Sequence, residues 1–397
     1  MSAPASGRIL TLNRGSATLK AALYDVNPEI KPALSIKIDR IDFPGTQITI
    51  KDGAGKMLLE SSPPRADSEA TLQLVFNWLD SHNFLANLLA AGHRLVHGGV
   101  QFQEPVTITP QVLAELEKLT PLDPDHLPAA LGVICFVAKK LTGVPQIGCF
   151  DTAFHRSLPK VARMYALPRE YFEEGVMRFG FHGLSYEYIL DELRRLDGAL
   201  ADGRVIIAHL GNGASMVAVR NGESADTSMG FTPLEGLVMG TRSGDVDPGA
   251  LLYLLGHGKM AAADLDECLN KRSGLLGVSG SSEDMRDLLE KSSRDKHAAE
   301  AVELFCYRAK KYLGAYAAAL GGVDVVVFAG GIGEKAAPVR QKICEGLEFL
   351  GIQLNPQRNQ GNESVISSAS SRVKVRVIET NEDLTIVRHV LRQIGRS

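Results

Sequence analysis

Apolar residues follow two periodicities along the chain, and the two alternate. Apolar side chains recur three or four positions apart in residues 68–82 and 109–119, and this spacing predicts two helices. Short apolar runs that end in glycine or polar turns occupy residues 89–99 and 144–154, and they predict two strands. The clearest predicted helix covers 301–322, where one apolar face ends at a Gly-Gly pair. Alternating strands and helices predict an α/β fold with mostly parallel sheets.

Three glycine-rich turns follow predicted strands, in "NRGSATLK" (13–20), "HLGNGAS" (209–215) and "FAGGIGE" (328–334). The first lies between two predicted strands and lacks the Walker pattern. It is either a plain hairpin turn or a loop whose backbone N–H groups, hydroxyls and Lys20 meet phosphate oxygens. In the other two, glycine lets a ligand approach the backbone closely. Three such turns at strand ends predict a nucleotide bound between two domains.

The opening stretch recurs later in the chain. A shift of 196 residues places "RILTLNRGSATLKAALYD" on "RVIIAHLGNGASMVAVRN", with Arg8 on Arg204 and Gly15 on Gly211. The length of 397 residues also exceeds what one typical core holds. The chain is therefore expected to contain two related domains.

The charge balance and the cysteines narrow the kinds of partner. The chain has 43 Lys and Arg against 46 Asp and Glu, so its formal charge of -3 gives no electrostatic reason to expect nucleic acid or an anionic membrane. No apolar run approaches the ~20 residues that cross a bilayer, and residues 1–13 lack the pattern of a secretory signal, so a cytoplasmic protein is expected. The five cysteines never form CxxC, which argues against a disulfide framework and a zinc site.

Several longer motifs together resemble one family. "GHRLVHGG", "RFGFHGLSYEYI", "GTRSGDVDPG", "AGGIGE" and "TNEDLTIVRH" occur in order over nearly the whole chain. They are similar to signature segments of the acetokinase family, which comprises acetate and propionate kinases, with butyrate kinases more distant. The resemblance implies duplicated actin-like, ribonuclease H-like domains with the nucleotide in the cleft between them. It implies that residues 1–153 and 381–397 form a first domain, which binds the substrate and the metal and to which a C-terminal helix returns. It implies that residues 154–380 form a second domain, which binds the nucleotide.

The resemblance also implies a reaction. It is the reversible, ATP-dependent phosphorylation of acetate, or of a closely related short-chain carboxylate, to an acyl phosphate by direct in-line transfer. ATP and ADP are the implied nucleotides, with Mg2+ or Mn2+ as the cation. Propionate or a polar-substituted acid is the nearer alternative, and a catalytically inactive actin-like nucleotide-binding regulatory module is the alternative of another class. A homodimer is a further expectation from the family.

Transfer of a phosphoryl group to a carboxylate brings two anions together, so the site needs cations and hydrogen-bond donors. The resemblance places Arg94 at the carboxylate and Arg242 at the moving phosphoryl group, both as catalytic residues. It implies that His182 donates a hydrogen bond to that group, and that Asp151 orients the substrate carboxyl or exchanges its proton. These four residues argue against a module that only binds nucleotide.

The remaining site residues follow from the same resemblance. The metal is expected beside Asn13 and Glu382. The acyl pocket is expected to be lined by Arg94, Val96, Asp125, His126, Phe181 and Pro233. The nucleotide contacts are expected at Lys20, His209, Leu210, Gly211, Asn212, Gly213, Asp284, Met285, Arg286, Gly331, Ile332, Gly333, Glu334 and Lys335.

The chain departs from the family pattern at positions that bear on specificity. It has "LDPDHLP" at 122–128 where the family typically has "LAPLHNP", so Asp125 replaces an apolar residue of the acyl pocket. Because an uncompensated buried carboxylate is costly, Asp125 is expected either to find a partner or to turn away. Thr18 stands where serine is usual, and Lys335 stands where asparagine is usual.

Overall fold

A computed structural model describes residues 7–63 and 67–396. Internal contacts divide the chain into two compact units, the first made of Met1–Ala153 and Asn381–Ser397 and the second of Phe154–Thr380. Residues 1–6, which begin the segment considered for a secretory signal, lie outside the described residues. In the described part of the chain, no helix is long and apolar enough to cross a membrane.

The strands and helices are numbered in chain order through both units. The strands are β1 (Arg8–Arg14), β2 (Thr18–Val26), β3 (Ile30–Asp39), β4 (Gln47–Asp52), β5 (Met57–Ser61), β6 (Leu88–Leu95), β7 (Val106–Thr107), β8 (Gln146–Phe150), β9 (Arg204–Leu210), β10 (Ala214–Arg220), β11 (Glu223–Thr227), β12 (Val325–Ala329) and β13 (Lys374–Val377). The α-helices are α1 (Ser68–Ser81), α2 (Pro110–Lys118), α3 (Leu127–Lys140), α4 (Lys160–Arg163), α5 (Arg169–Glu173), α6 (Gly183–Asp197), α7 (Pro248–Gly256), α8 (Ala262–Lys271), α9 (Gly274–Ser279), α10 (Met285–Lys291), α11 (Lys296–Leu320), α12 (Gly330–Lys335), α13 (Ala337–Cys344), α14 (Pro356–Gln360) and α15 (Glu382–Gln393). Short 3-10 helices cover Thr120–Leu122, Asp151–Ser157, Gly198–Asp202 and Glu348–Leu350.

The sheet of the first unit has the strand order β5-β4-β3-β2-β1-β6-β8-β7. β1 pairs antiparallel with β2 and parallel with β6, which in turn is parallel to β8. Buried side chains such as Leu72 and Phe76 of α1 and Val137 of α3 pack with those of the sheet in one apolar core. α1 begins where the Asp67 carboxylate accepts a hydrogen bond from the backbone N–H of Ala70 at 2.8 Å.

The C-terminal helix α15 lies on this same sheet. It packs against β1, β6 and β8 of the first unit. Gly92 of β6 makes room for it, because a Cβ atom there would come within 2.4 Å of the Ile386 side chain. The first turn of α15, with Glu382 and Asp383, consequently lies beside Asn13 and Thr11 of β1.

The sheet of the second unit has the order β11-β10-β9-β12-β13. β9 pairs antiparallel with β10 and parallel with β12, and β12 is parallel to β13. The neighbours of β1 in the first unit have the same directions, and β1 and β9 are the segments that the 196-residue shift superposes. This correspondence confirms the duplicated α/β fold expected from the sequence.

The long helix α11 packs on the strands β9, β10 and β11 of the second unit. It begins at Lys296, earlier than the predicted start at 301, because the Asp295 carboxylate caps it by accepting from the N–H groups of His297 and Ala298. It ends at Leu320 and is followed by Gly321, whose φ of 69° suits a residue without a side chain.

The sequence-based expectation of a turn over residues 331–335 is wrong. The chain enters helix α12 directly after β12. Gly330 has a φ of 73°, and a Cβ atom there would come within 2.6 Å of the Leu210 carbonyl oxygen, so only glycine lets the ends of β9 and β12 lie this close. Glycine is a poor helix former, which is why the composition of this segment indicated a turn.

Candidate active site

Four of the expected site residues meet in the first unit. Arg94 donates to both carboxylate oxygens of Asp151, with Nη2 at 2.6 Å from Oδ2 and Nε at 3.0 Å from Oδ1. Its Nη1 donates to Asn13 Oδ1 at 3.1 Å. Asn13 Nδ2 donates to Glu382 Oε2 at 3.2 Å, and the same Glu382 oxygen lies 3.8 Å from Arg94 Nε. The structure thus joins Asn13, Arg94, Asp151 and Glu382 into one group, the Arg94 cluster.

The register of the parallel strands explains this meeting. Asn13 on β1 is the direct neighbour of Arg94 on β6, and Arg94 is the neighbour of Cys149 on β8, shortly before Asp151. Parallel strands bring their carboxyl ends to one edge of the sheet, which is where ligands of open α/β sheets bind. α15 supplies Glu382 to that edge from its first turn.

The charges of the Arg94 cluster differ in their exposure. The Asp151 side chain is 1% exposed and the Arg94 side chain 18%. Burial disfavours the charged guanidinium, but the carboxylates of Asp151 and Glu382 outweigh burial and raise the pKa of Arg94. Arg94 is therefore a permanent cation whose orientation is fixed by a buried carboxylate. Beside it, burial raises the pKa of Asp383, even though Thr11 Oγ1 donates to that carboxylate at 2.7 Å.

The turn between β1 and β2 is a tight hairpin in which the Gly15 N–H donates to the Thr18 carbonyl oxygen at 2.8 Å. Arg14 is buried and braces it, donating to the carbonyl oxygens of Gly15 and Thr18 and to Asp42 Oδ2 at 2.9 Å. Lys20 is exposed on β2. The hairpin and the phosphate-loop interpretations are thus compatible. Sequence reasoning missed Arg14 because its acidic partner lies 28 residues away.

The acyl-pocket positions of the first unit differ in burial. Val96 and His126 are half-buried, whereas Asp125 is exposed. The buried carboxylate of this loop belongs to Asp123, which binds His126 Nδ1 through Oδ1 at 2.8 Å. Sequence reasoning missed Asp123, although it stands in the same "LDPDHLP" segment where the family typically has alanine. A pocket role for Asp125 stays a prediction.

Two stacked histidines form the centre of the expected site in the second unit. The ring centroids of His182 and His209 lie 4.5 Å apart. Each ring is held at Nδ1 by a buried serine hydroxyl at 2.8 Å, His182 by Ser215 and His209 by Ser185. The Tyr186 hydroxyl also hydrogen-bonds to Ser215 Oγ. His182 has a φ of 59°, a left-handed conformation that is uncommon outside glycine and that recurs at functional sites.

Arg242 lies in the loop between β11 and α7, next to Pro233. Its Nη1 donates to the Pro233 carbonyl oxygen at 3.3 Å. Gly240 connects this loop to the expected nucleotide turn, because its N–H donates to the Asn212 carbonyl oxygen at 2.9 Å. A Cβ atom on Gly240 would lie 1.7 Å from Asn212 Oδ1, so a side chain here would separate the two segments. The structure thus brings Arg242 and Pro233 together and ties their loop to Asn212.

Phe181, the remaining acyl-pocket position, is buried just before His182. Its carbonyl oxygen accepts a hydrogen bond from His155 Nε2 at 3.0 Å. Burial lowers the pKa of His155 to about 4, so the ring is neutral at pH 7, with Nδ1 facing Ser224 Oγ at 2.8 Å. A neutral imidazole engaged at both nitrogens therefore fixes the backbone that leads into His182.

A cavity of about 510 Å³ in the second unit is lined by three of the expected nucleotide segments. Its expected lining residues are Gly211, Asn212, Asp284, Met285, Arg286, Gly331, Ile332 and Lys335. Sequence reasoning missed the further lining residues Glu283, Leu289, Ala336 and Pro338. The volume is in the range of small-molecule sites. Several expected nucleotide positions flank the cavity in sequence without lining it, namely His209, Leu210, Gly213, Gly333 and Glu334.

A buried arginine holds the helix that forms one wall of this cavity. Arg340 is 0% exposed and donates to the carbonyl oxygens of Gly333 at 2.8 Å and Glu334 at 2.9 Å, at the end of α12. Its Nε donates to Asn359 Oδ1 at 2.8 Å. Burial lowers the pKa of Arg340 to about 10, which still leaves it charged at pH 7. Because its partners are mostly backbone oxygens, no charge pattern in the sequence indicated this role.

The comparisons with known proteins cover both units. The model of the acetokinase family matches residues 8–388. An acetate kinase from Rhodopseudomonas palustris is 46% identical over 390 residues, which cover 97% of this chain and 98% of that protein. The crystal structure of acetate kinase from Porphyromonas gingivalis is similar with a TM-score of 0.88 and 39% identity, covering 98% of this chain and 100% of that chain. The crystal structure of a propionate kinase from Francisella tularensis is similar with a TM-score of 0.91 and 34% identity, covering 96% of this chain and 98% of that chain. The chain therefore belongs to the acetokinase family.

Proposed function

We propose that the chain catalyses the reversible transfer of the γ-phosphoryl group of ATP to acetate, giving acetyl phosphate and ADP. The observation that carries this proposal is the Arg94 cluster, in which a buried Asp151 orients a permanent cation beside Asn13 and Glu382. A module that only binds nucleotide has no use for such a carboxylate-binding group. Family membership and the cavity of the second unit support the nucleotide part.

In the proposed reaction, a carboxylate oxygen of acetate attacks the γ-phosphorus while the bond to the bridging oxygen of ADP breaks, and ADP leaves with that electron pair. Arg94 binds the acetate carboxylate. Asp151 orients Arg94, because both of its oxygens accept from the guanidinium. A direct role of Asp151 at the substrate carboxyl, by orientation or proton exchange, stays a prediction. Arg242 neutralises charge on the phosphoryl group in flight. We assign the nucleotide to the cavity of the second unit. Two expectations stay predictions: that Lys20 contacts a phosphate group, and that the nucleotide is bound between the two domains.

His182 is proposed to donate from Nε2 to the phosphoryl oxygens. This requires the tautomer that carries its proton on Nε2, or the doubly protonated ring. The Ser215 hydroxyl favours the first, since it can donate to Nδ1 while accepting from Tyr186. Ser215 is therefore proposed as a positioning residue for His182.

Ser215→Ala is expected to lower kcat about tenfold and to change the KM for ATP little, because it removes the group that fixes the His182 tautomer and leaves the nucleotide cavity intact. Steady-state kinetics measure the two constants, and ¹⁵N NMR of labelled histidine reports the tautomer. Ser81→Ala, at the exposed end of α1, is the matched control. Unchanged kcat in Ser215→Ala would remove this serine from the mechanism.

Mg2+, or Mn2+, is proposed to enter with ATP next to Asn13 and Glu382. In the described part of the chain, no group of three His, Cys, Asp or Glu side chains forms a metal site. One carboxylate and one amide oxygen nevertheless fit a cation that takes most of its ligands from phosphates and water. Asn13 holds its amide oxygen toward Arg94 and its nitrogen toward Glu382, so metal binding here would turn that amide over. The cation would neutralise the phosphate charges during transfer.

Glu382→Ala is expected to raise the Mg2+ concentration needed for half-maximal rate by roughly tenfold, because it deletes the carboxylate proposed to meet the metal. Titration of the rate with Mg2+ at fixed ATP measures this. Glu117→Ala, on an exposed position of α2, should leave the requirement as in the wild type. An unchanged requirement in Glu382→Ala would exclude Glu382 from the metal site.

The similarity to a propionate kinase structure favours propionate as a second candidate substrate. An acyl-hydroxamate assay with ATP and Mg2+ across formate, acetate, propionate and butyrate tests the proposed function. We expect hydroxamate from acetate or propionate. Formation from none of the acids, with nucleotide still bound, would favour the regulatory module.

A homodimer is proposed from the family resemblance and from helix α7. None of its residues is buried, although its sequence is "PGALLYLLG", and Leu252 and Tyr253 are 68% and 53% exposed. Apolar faces of this kind mark interaction sites. Light scattering should give twice the chain mass, and Leu252→Asp should shift the protein toward monomer; a wild-type monomer would contradict the proposal. A cytoplasmic location stays a prediction.

A further inference from the structure

One carboxylate oxygen near the proposed acetate site is buried without a hydrogen-bond partner. Asp123 is 3% exposed, and its Oδ1 is engaged by His126 Nδ1 at 2.8 Å. Its Oδ2 is buried and has no partner among the described residues. A buried acceptor left in this state is costly, so a donor that reaches it is bound favourably.

The surroundings connect this oxygen to the substrate groups. The negative charge of Asp123 is close enough to Arg94 to contribute to the raised pKa of that guanidinium, although burial opposes the rise. His126, the direct partner of Asp123, is one of the residues expected to line the acyl pocket. Asp123 therefore lies among the residues proposed to bind the acid.

A purely structural role for Asp123 accounts for only part of its chemistry. Its backbone N–H donates to the Thr120 carbonyl oxygen at 3.1 Å and its carbonyl oxygen accepts from Leu127 at 3.1 Å, so the backbone alone closes this turn. His126 is the N-cap residue of α3, and its side chain makes no cap hydrogen bond. The carboxylate orients His126 through Oδ1, whereas Oδ2 accepts no hydrogen bond from any described residue.

We propose that Asp123 Oδ2 accepts a hydrogen bond from a hydroxyl group on the substrate, and that the enzyme is selective for short carboxylic acids carrying a hydroxyl on their chain. This inference rests on the proposed carboxylate kinase activity and narrows its substrate class. A hydroxyl suits the position better than an ammonium group, because Arg94 places a positive charge nearby.

Paired substrates test the proposal in the wild type. The kcat/KM for glycolate is compared with that for acetate, and those for lactate and 3-hydroxypropionate with that for propionate, all with ATP and Mg2+. We expect at least one hydroxy acid to have a higher kcat/KM than its parent acid, because its hydroxyl donates to Asp123 Oδ2.

Variants assign the preference to one residue. Asp123→Ala should lower the ratio of hydroxy acid to parent acid by about tenfold to a hundredfold, through loss of the acceptor. Asp123→Asn retains the volume and serves if the alanine variant does not fold. Glu117→Ala, at an exposed carboxylate of α2 outside the proposed site, is the matched control and should keep the wild-type ratio.

The outcomes separate the two claims. If no hydroxy acid has a higher kcat/KM than its parent in the wild type, or if both Asp123 variants keep the wild-type ratio, the inference is overturned and acetate kinase activity stands. An unchanged ratio is also the result expected if a water molecule is the donor to Oδ2. If no acid of either kind is phosphorylated, the proposed function fails together with the inference.

Discussion

Arg242→Ala is expected to lower kcat by about a thousandfold while changing ATP affinity less than about threefold. An arginine that stabilises a phosphoryl group in flight acts mainly in the transition state, where charge spreads over the equatorial oxygens, and is typically worth 10³ or more in rate. Arg242 does not line the cavity assigned to the nucleotide, and it is held to the Pro233 carbonyl oxygen at 3.3 Å. Its loss should therefore leave the nucleotide bound.

The measurement combines steady-state kinetics with calorimetric binding of ADP. Arg195→Ala is the matched control, since Arg195 is exposed on α6 and pairs with Glu192 of the same helix. The control should retain the wild-type kcat. An Arg242→Ala enzyme with normal turnover, or one that loses ADP binding in proportion to rate, would contradict the assignment.

Arg94→Ala is expected to reduce both activity and stability. The Asp151 side chain is 1% exposed and loses the cation to which both of its oxygens are bound. Breaking a fully buried ion pair costs about 3–5 kcal/mol. Because Arg94 is 18% exposed, we expect the variant to lower the free energy of unfolding by a smaller amount, about 2–3 kcal/mol. Phosphorylation of acetate should fall at least a hundredfold, since the carboxylate loses its cation.

The double variant Arg94→Ala/Asp151→Ala separates the two effects. Removal of both charges should recover most of the lost stability, because no buried charge is then uncompensated. Activity should stay low, because the carboxylate-binding group is still absent. Chemical denaturation followed by the hydroxamate assay measures both. Recovery of activity together with stability would show that Arg94 acts only through folding.

The parts of the fold that sequence predicted are those set by local patterns. The repeat of Arg8–Arg14 at Arg204–Leu210 and the apolar face of α11 depend on residues close in the chain, and the structure contains both. The helix over Gly330–Lys335 was missed because Gly330 is needed where the chain passes close to the Leu210 backbone of the neighbouring strand. That contact is made across the sheet and is not visible in the local sequence.

The candidate site shows the same division. The four residues of the Arg94 cluster were chosen by motif, and the structure brings them together through strand register. Arg340 was missed because its carbonyl partners leave no trace in composition, and Arg14 because its acidic partner Asp42 lies 28 residues away. At 123–125, the motif drew attention to the second aspartate, but the turn before α3 exposes that one and buries the first. Which of two neighbouring carboxylates is buried depends on backbone geometry that residue type does not encode.

The proposed reaction requires that a carboxylate oxygen attack the γ-phosphorus of ATP. This attack is tested with acetate labelled with ¹⁸O in both oxygens, together with ATP, Mg2+ and the purified chain, followed by ³¹P NMR. Direct attack gives acetyl phosphate whose phosphorus resonance is shifted by one directly bonded ¹⁸O, formed in equal amount with unlabelled ADP. ATP that remains intact, or that yields only inorganic phosphate, would contradict it.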